Sequence, residues 1–274
     1  MLSYGHRWGD FGWDSSFTFS ANKNEIVELV KDYVHPETGK TYNVDKLELK
    51  TDEGRGFGKA KFILKEGGTL GDLYTHADLK RDINGNILID DSGNVTAIDN
   101  AGDIKLGSVL PKANLAWNNS FSYKGINAGF LLTARLGGIV YSATQAYLDL
   151  YGVSETSAAA RDAGGVWING RSHVNPQSFY EVVASQSGLP TYYTYSATNL
   201  RLQEAHIGYT VPRRWLGNVC DINVSLVGRN LWMIYCKAPF DPEAVATTNN
   251  YYQGIDYFMM PSTRNIGFNI KINF

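Results

Sequence analysis

The last thirteen residues alternate between apolar and polar side chains. From Ile266 onward, one set of alternate positions is wholly apolar, and asparagine, glycine and lysine fill the positions between. The apolar set is Ile266, Phe268, Ile270, Ile272 and Phe274. A period of two predicts a β-strand with one apolar and one polar face. Such a strand can close a soluble β-sandwich, or a membrane barrel whose apolar face meets lipid.

The same alternation marks other parts of the chain. It predicts strands at residues 13–22, 114–123, 127–141, 199–211 and 222–235, with weaker candidates at 47–65 and 67–79. The apolar set changes parity between Leu202 and Ala205, and again near residues 228–230, which predicts β-bulges. About seven strands result, and most exceed the ~5–6 residues typical of soluble proteins.

Connections of very different length join these strands. Residues 124–125 and 212–221 are short, whereas residues 79–110, 142–198 and 237–261 are long. Outer-membrane barrels have short periplasmic turns and long extracellular loops. We therefore place the long connections outside the cell, which leaves residues 23–66 as an unusually long periplasmic connection.

An odd number of strands has a consequence for a barrel. Bacterial single-chain barrels contain an even number of strands, and unpaired strand edges are costly in lipid. About seven strands therefore predict an incomplete barrel. Because a barrel must be exported, either a secretory signal has been removed or Met1 is an internal residue of a longer chain, and we favour the second. No secretory signal follows Met1.

Composition narrows the classes of function. Lys and Arg number 25 against 27 Asp and Glu, a balance that argues against a nucleic-acid partner. The 17 Tyr, 12 Phe, 6 Trp and 28 Gly suit β-structure with many turns and the aromatic girdles of membrane barrels. No apolar run approaches the ~18 residues of a membrane helix. Cys220 and Cys236 flank one predicted strand, too far apart for a disulfide, so free thiols are expected.

Motifs for metals and catalysis are missing. The Asn/Gly-rich segment 82–103 places Asp82, Asn84 and Asn86 at alternate positions, as in a calcium loop. Gly85 comes too early for that pattern, however, and no Glu closes it. We therefore expect a solvated loop whose Asp and Asn side chains support turns, and no metal or other cofactor. The five histidines are dispersed and no nucleophile elbow, zinc-protease or P-loop motif occurs, so no enzyme is expected.

Several stretches carry motifs of a known family. They are residues 199–212 (NLRLQEAHIGYTVP), 224–232 (VSLVGRNLW), 240–243 (FDPE), and 254–256 (GID) followed by 261–264 (PSTR). Two earlier ones are residues 17–29 and the hairpin of residues 111–141, which includes NNSFSYKG. In this order they resemble the carboxyl-terminal part of SusC/RagA-like TonB-dependent outer-membrane transporters. The acidic segment lacks the family's usual DGDG run, and Ala116 stands where Gly is common.

The resemblance implies an all-β fold and a role in transport. Residues 1–274 would form the last strands, ~7 of ~22, of an antiparallel transmembrane β-barrel in the Gram-negative outer membrane. The barrel would import oligosaccharides or peptides without catalysis. Implied partners are a SusD-like surface lipoprotein, outer-membrane lipid, the remaining strands and plug, and TonB–ExbB–ExbD acting through an amino-terminal part that is not in this chain. No nucleic acid is expected.

Candidate functional residues follow from this interpretation. Exposed aromatic rings beside amides favour stacking on sugars, which selects Trp167, Tyr192, Tyr193, Tyr195, Asn249, Asn250, Tyr251 and Tyr252 as ligand contacts. The same tyrosines would alternatively form a membrane girdle or a contact with the lid. Arg135 and Arg229 are expected to face the lumen, paired with carboxylates or in contact with solute. Phe268, Ile270, Ile272 and Phe274 are expected to form the signal for barrel assembly.

Two other classes of protein stay open on the sequence. One is a soluble or surface-anchored β-rich protein that binds glycans or acts as an adhesin, which predicts shorter strands and protected sheet edges. The other is a passive porin without plug or TonB coupling.

Overall fold

The computed structural model describes residues 1–49, 59–170, 172–217, 219–246 and 253–273. The strands of this part are β1 (Leu2–Trp8), β2 (Phe11–Ala21), β3 (Val30–Val34), β4 (Thr41–Val44), β5 (Lys46–Glu48), β6 (Ala60–Lys65), β7 (Asp72–Thr75), β8 (Asp78–Leu79), β9 (Ala97–Ile98), β10 (Ile104–Ser108), β11 (Ala113–Tyr123), β12 (Ile126–Leu136), β13 (Ile139–Ser142), β14 (Val166–Ile168), β15 (Ser172–Val174), β16 (Thr194–Ser196), β17 (Asn199–Val211), β18 (Asp221–Cys236), β19 (Ile255–Asp256) and β20 (Asn265–Asn273). The helices are α1 (Ala143–Leu150), α2 (Glu155–Asp162) and α3 (Pro176–Val183), with 3₁₀ turns at Ser185–Ser187 and Arg213–Leu216.

One antiparallel sheet of seven strands dominates the fold. Its order is β1-β2-β11-β12-β17-β18-β20. The number of strands agrees with the sequence prediction, but one member differs. Strand β1 joins the sheet, whereas the candidates at 47–65 and 67–79 contribute β5, β6 and β7 to a separate four-stranded sheet. The register of this sheet assigns each paired side chain to one of two faces, because directly paired residues point the same way.

The first face is apolar across all seven strands. The register brings together Leu2, Tyr4, Trp8, Phe11, Trp13, Phe17, Phe19, Leu115, Trp117, Phe121, Tyr123, Ile126, Ala128, Phe130, Leu132, Ala134, Leu200, Leu202, Ala205, Ile207, Tyr209, Ile222, Val224, Leu226, Trp232, Ile266, Phe268, Ile270 and Ile272. Many of these side chains are exposed, for example Ile207 at 57% and Phe268 at 78%. An apolar face of this size needs a covering medium or partner.

Three polar side chains, those of His6, Ser15 and Asn119, interrupt this face, and an indole donates a hydrogen bond to each of the last two. Ser15 and Asn119 lie opposite one another on β2 and β11. Trp13 Nε1 donates to Asn119 Oδ1 at 3.1 Å, and Trp117 Nε1 donates to Ser15 Oγ at 3.0 Å. These bonds pair indole donors and polar acceptors that would otherwise be costly next to hydrocarbon. The two indole donors and their acceptor oxygens are therefore paired, whereas Asn119 Nδ2 is buried and has no partner among the described residues.

Aromatic rings mark the end of the apolar face where the chain turns tightly. Trp8, Phe11, Tyr123 and Tyr209 lie in one row across four strands, with Ile126 between the last two. Trp8 stacks on Phe11 with ring centroids 6.0 Å apart. Such rows at the border of an apolar band are the aromatic girdles of membrane barrels. This row, rather than the tyrosines near residue 192, provides the girdle in the described sheet.

The sheet has a turn end and a loop end. Residues 9–10, 124–125 and 212–220 connect its strands at the turn end, while residues 22–112, 137–198 and 237–264 connect them at the loop end. Residues 23–66 therefore lie at the loop end, and the prediction of a long connection on the opposite side is wrong. The cause is the assignment of 67–79 to the barrel, because one added strand reverses the side on which the preceding connection lies.

The loop-end connections fold into a structure that we call the cap. It comprises the described residues of 22–112, 137–198 and 237–264. Its core includes Phe62, Leu73, Tyr141 and Leu189, all of them buried. Apolar residues of the acidic segment also enter this core, among them Val95. Most residues of this segment are nevertheless exposed, as expected of a solvated loop, and Val95 is the buried one.

Local sequence signals explain the fine structure well. The register shifts between Leu202 and Glu204, and Asn230 takes a positive φ of 52°, which confirms both predicted bulges. Cys220 and Cys236 are free, as the spacing predicted. Among the helices in the described part of the chain, none combines the length and hydropathy needed to cross a bilayer.

Candidate functional site

The second face of the seven-stranded sheet is polar. It carries Ser3, Arg7, Asp14, Ser16, Thr18, Ser20, Asn114, Asn118, Ser120, Ser122, Asn127, Thr133, Arg135, Asn199, Arg201, Glu204, His206, Asn223, Ser225, Arg229, Asn265, Asn269, Lys271 and Asn273. Hydroxyl and amide groups predominate, with charges of both signs. A surface of this kind suits a water-filled lumen that carries polar solutes.

Both predicted lumen arginines lie on this polar face and already have partners. Arg229 Nε donates to Glu204 Oε2 at 3.0 Å across β17 and β18. Arg135 Nη2 donates to the carbonyl of Val109 at 2.8 Å, which ties strand β12 to the cap. Arg229 is thus paired with a carboxylate, which is one of the two roles that the sequence left open, whereas Arg135 binds a backbone carbonyl, which is neither of them. Contact of either residue with solute stays a prediction.

A buried ionic cluster joins the polar face to the loop before β19. Arg201 is 5% exposed, and its Nη2 donates to Asp241 Oδ1 at 2.7 Å. Glu243 lies 3.4 Å from the same nitrogen and also accepts from Asn199 Nδ2 at 3.1 Å. Asn230, at the β-bulge, accepts from Arg201 Nη1 at 3.2 Å. The motif residues of 240–243 thus anchor a loop, a role that their sequence did not reveal.

The pKa of Asp241 reflects this anchoring. Burial acts to raise it, but hydrogen bonds from Arg201, Ser262 and the Glu243 amide, together with the charge of Arg201, hold the pKa below its usual value. A carboxyl whose pKa is depressed on folding adds stability above its unfolded pKa, and this stability is lost as pH falls through the folded pKa.

We therefore expect acid to release this loop. The usual pKa of an Asp carboxyl is about 4. Below that pH, the backbone amides of residues 238–246 should exchange hydrogen progressively faster as the pH falls, once the rates are corrected for intrinsic exchange. The measurement is hydrogen exchange by mass spectrometry. Asp241→Asn should show fast exchange already at pH 7 and a flat profile. An acid-induced step of unchanged size in that variant would contradict the role of Asp241.

The predicted ligand tyrosines occupy different environments. Tyr193 is 2% exposed and its hydroxyl donates to Asp149 Oδ2 at 3.0 Å, so it supports the cap and leaves no ring surface for a ligand. Tyr195 packs edge-on against Phe240 with centroids 5.5 Å apart, and burial, with the nearby Asp149 charge, raises its pKa to about 12. Tyr192 packs against Phe179 and is partly exposed.

The remaining predicted residues fall into two groups. Trp167 on β14 is 60% exposed. Its ring meets that of His173 edge-on, with centroids 4.1 Å apart, so part of the indole surface is accessible to a ligand. Phe268, Ile270 and Ile272 lie on the apolar face of β20, where the alternation placed them. Residues that lie outside the described ranges are Asn249, Asn250, Tyr251, Tyr252 and Phe274. For these residues, the ligand and assembly roles stay predictions.

The acidic segment uses its carboxylates to form turns. Asp82 Oδ1 accepts from the amides of Asn84 and Asn86, each at 2.8 Å. Asp90 Oδ1 binds the amides of Ser92 and Asn94 in the same way, at 2.9 and 2.8 Å. Across the described ranges, no group of three or more His, Cys, Asp or Glu side chains is placed to hold a metal ion. The predicted turn-supporting role is therefore visible, and the expectation of no calcium stays a prediction.

Sequence comparison identifies relatives of the whole chain. No family model matches it. It is 25% identical over 289 residues to TonB-dependent receptor P3 of Formosa agariphila, covering 96% of this chain and 27% of that receptor. TonB-dependent receptor P26 of the same bacterium is 25% identical over 293 residues, covering 98% of this chain and 28% of the receptor. The chain is similar in sequence to TonB-dependent receptors. It spans little more than a quarter of the length of the curated relatives it matches.

Solved structures support the same relationship at the level of fold. The RagAB peptide importer in its closed-closed state matches with a TM-score of 0.63 at 18% identity, covering 99% of this chain and 29% of that one. The RagAB peptide transporter matches with a TM-score of 0.64 at 17% identity, covering 99% and 28%. TonB-dependent receptors are β-barrels, so the two-faced sheet is a section of barrel wall. The SusC/RagA-like resemblance read from the sequence is confirmed.

Proposed function

We propose that this chain forms part of an active transporter of the Gram-negative outer membrane that imports peptides or oligosaccharides. The observation that carries the proposal is the apolar face of the seven-stranded sheet, which extends over all seven strands, is largely exposed and is backed by a polar face. At ~3.3 Å per residue and a tilt of ~40°, a strand of the length of β11 crosses about 25 Å, which is the height of the apolar band of outer-membrane barrels.

The comparisons favour transport over the alternatives. Relatives named as TonB-dependent receptors support import coupled to TonB, acting through parts of the protein outside this chain. The RagAB structures are named as a peptide importer and a peptide transporter, which supports a peptide substrate and a lipoprotein lid of the SusD type. No bond chemistry is assigned to the protein, because binding and gating suffice for this role.

Uptake in cells tests the proposal. A strain that lacks the gene should lose accumulation of its labelled peptide or oligosaccharide substrates, and the cloned gene should restore it. A protonophore should abolish accumulation in the restored strain, because TonB draws on the proton gradient. Facilitated entry that survives the protonophore would indicate a passive porin instead. Recovery of the protein in the soluble fraction would indicate a glycan-binding protein or adhesin without a transport role.

A further inference from the structure

The cap contains a cavity that none of the roles above explains. It has a volume of about 350 Å³ and lies where the end of α1 meets α2 and the first turns of α3. Its walls include Asp149, Tyr151, Arg161, Tyr180 and Glu181. This volume is at the lower end of the range for small-molecule sites, which suits one amino-acid side chain or one small ring.

Asp149 gives the cavity a buried negative charge with spare capacity. Asp149 is only 5% exposed. Oδ1 accepts from Ser154 Oγ and from Gln145 Nε2, and Oδ2 accepts from Tyr193 Oη. A carboxylate offers about four acceptor positions, so the hydrogen bonds from the described residues leave one position on Oδ2 free. In the part of the chain that the structure describes, Asp149 belongs to no ion pair.

The other charged groups leave the cavity negative. Glu181 is exposed at its rim and accepts from Gln177 Nε2 at 2.9 Å, which holds the carboxylate in place. Arg161 is the cation of the lining, and its Nη1 donates to the carbonyl of Gly152 at 2.9 Å. Two carboxylates against one guanidinium leave one net negative charge. A positively charged guest would neutralise it.

Two aromatic rings complete the environment. Tyr151 is 75% exposed beside the opening, and Tyr180 is buried within the wall. Burial, followed by the charge of Asp149, raises the pKa of Tyr180, so its phenol is neutral at physiological pH. The faces of neutral tyrosine rings attract ammonium groups and also pack against aliphatic carbon.

We propose that this cavity binds the primary ammonium group of a lysine side chain in a peptide. The ammonium group lies between Asp149 and Glu181, and the aliphatic stem of the side chain packs against Tyr151 and Tyr180. The inference rests on the proposed function in that the peptide is a transport substrate, captured at the cap before it enters the lumen. A neutral sugar ring would gain stacking here but would leave the net charge uncompensated.

Calorimetry on the purified protein in a non-glycosidic detergent tests the site. The probes are Gly-Lys-Gly and Gly-Gln-Gly with blocked termini. The lysine peptide should bind, and the glutamine peptide should bind at least tenfold more weakly, because a charge-assisted hydrogen bond contributes more than a neutral one. Glu181→Gln should weaken lysine-peptide binding by about tenfold. Asp162→Asn removes the same charge from an exposed position of α2 outside the cavity and should change nothing.

The variants keep the proposal falsifiable. Glu181 and Tyr151 are exposed, so Glu181→Gln and Tyr151→Ala should fold, which the melting temperature verifies. Equal binding of the two peptides, or binding unaffected by both variants, would overturn the assignment. So would a neutral disaccharide that binds in competition with the lysine peptide. If the variants abolish lysine-peptide binding but uptake is unchanged, only this inference is refuted. If the lysine peptide binds but no uptake occurs, the transport function is refuted.

Discussion

Leu226→Arg should destabilise the barrel wall, and Val227→Arg should be tolerated. Leu226 lies on the apolar face near the middle of β18, between Ile207 and Phe268. An arginine on a lipid face costs about 2–4 kcal/mol at the bilayer midplane and far less near the interfaces. Val227 is its chain neighbour but points to the polar face, beside His206 and Gly267. The free energy of unfolding from lipid vesicles, measured by denaturant titration, is the readout.

This pair of variants controls for composition and chain position. Both replace a branched apolar residue with arginine on the same strand, so only the face differs. Val224→Arg offers a depth series, because it lies on the apolar face nearer the turn end and should cost less than Leu226→Arg. Equal destabilisation by Leu226→Arg and Val227→Arg would mean that both faces meet the same medium, contrary to the wall assignment.

Arg201→Met should release the loop of residues 238–246, which Arg201 anchors at the loop end of the polar face. The substitution leaves Asp241 buried without its cation, and breaking one side of a buried ion pair typically costs about 3–5 kcal/mol. The cost should appear as faster hydrogen exchange in residues 238–246 and as a lower melting temperature. Arg229→Met is the matched control, because the exposed pair of Arg229 and Glu204 is worth only about 0–1 kcal/mol.

A double variant separates the anchor from a loss of packing. Removing both charges, as in Arg201→Met with Asp241→Leu, should recover part of the lost stability, because no buried charge is then unpaired. Strictly additive losses from the two substitutions would show that the pair is not coupled. That result would assign the anchoring of the loop to its other contacts.

The barrel wall was predictable from sequence because it follows one simple rule. Each strand of the wall separates lipid from water, so its side chains must alternate, and β2, β11, β12, β18 and β20 all show this period. Strand β1 escaped notice because His6 interrupts its apolar set and Gly5 its polar set. The bulges were also predictable, since an extra residue shifts the parity of the pattern.

The cap was not predictable in the same way. Its strands are mostly two to six residues long, and a short apolar run does not distinguish a membrane strand from a buried one. That ambiguity made strand candidates of 47–65 and 67–79 and placed the second of them in the wall. The pairing of Arg201 with Asp241 and the cavity beside Asp149 join residues far apart in sequence, so no local pattern signals them. Tyr193 illustrates the same limit, because only its packing shows that its hydroxyl is used internally.

Side-chain accessibility along β12 tests the wall assignment most directly. In a background with Cys220 and Cys236 replaced by serine, spin labels at residues 127–134 can be probed in vesicles with oxygen, which partitions into lipid, and with a water-soluble nickel chelate. Ala128, Phe130, Leu132 and Ala134 should respond to oxygen, and the positions between them to nickel. Leu131 is the strictest position, because its side chain is apolar although the register places it on the polar face opposite Asn118 and Glu204. A nickel response at residue 131 is the predicted result, whereas uniform accessibility along the strand, or oxygen response on both faces, would contradict a wall between lipid and water.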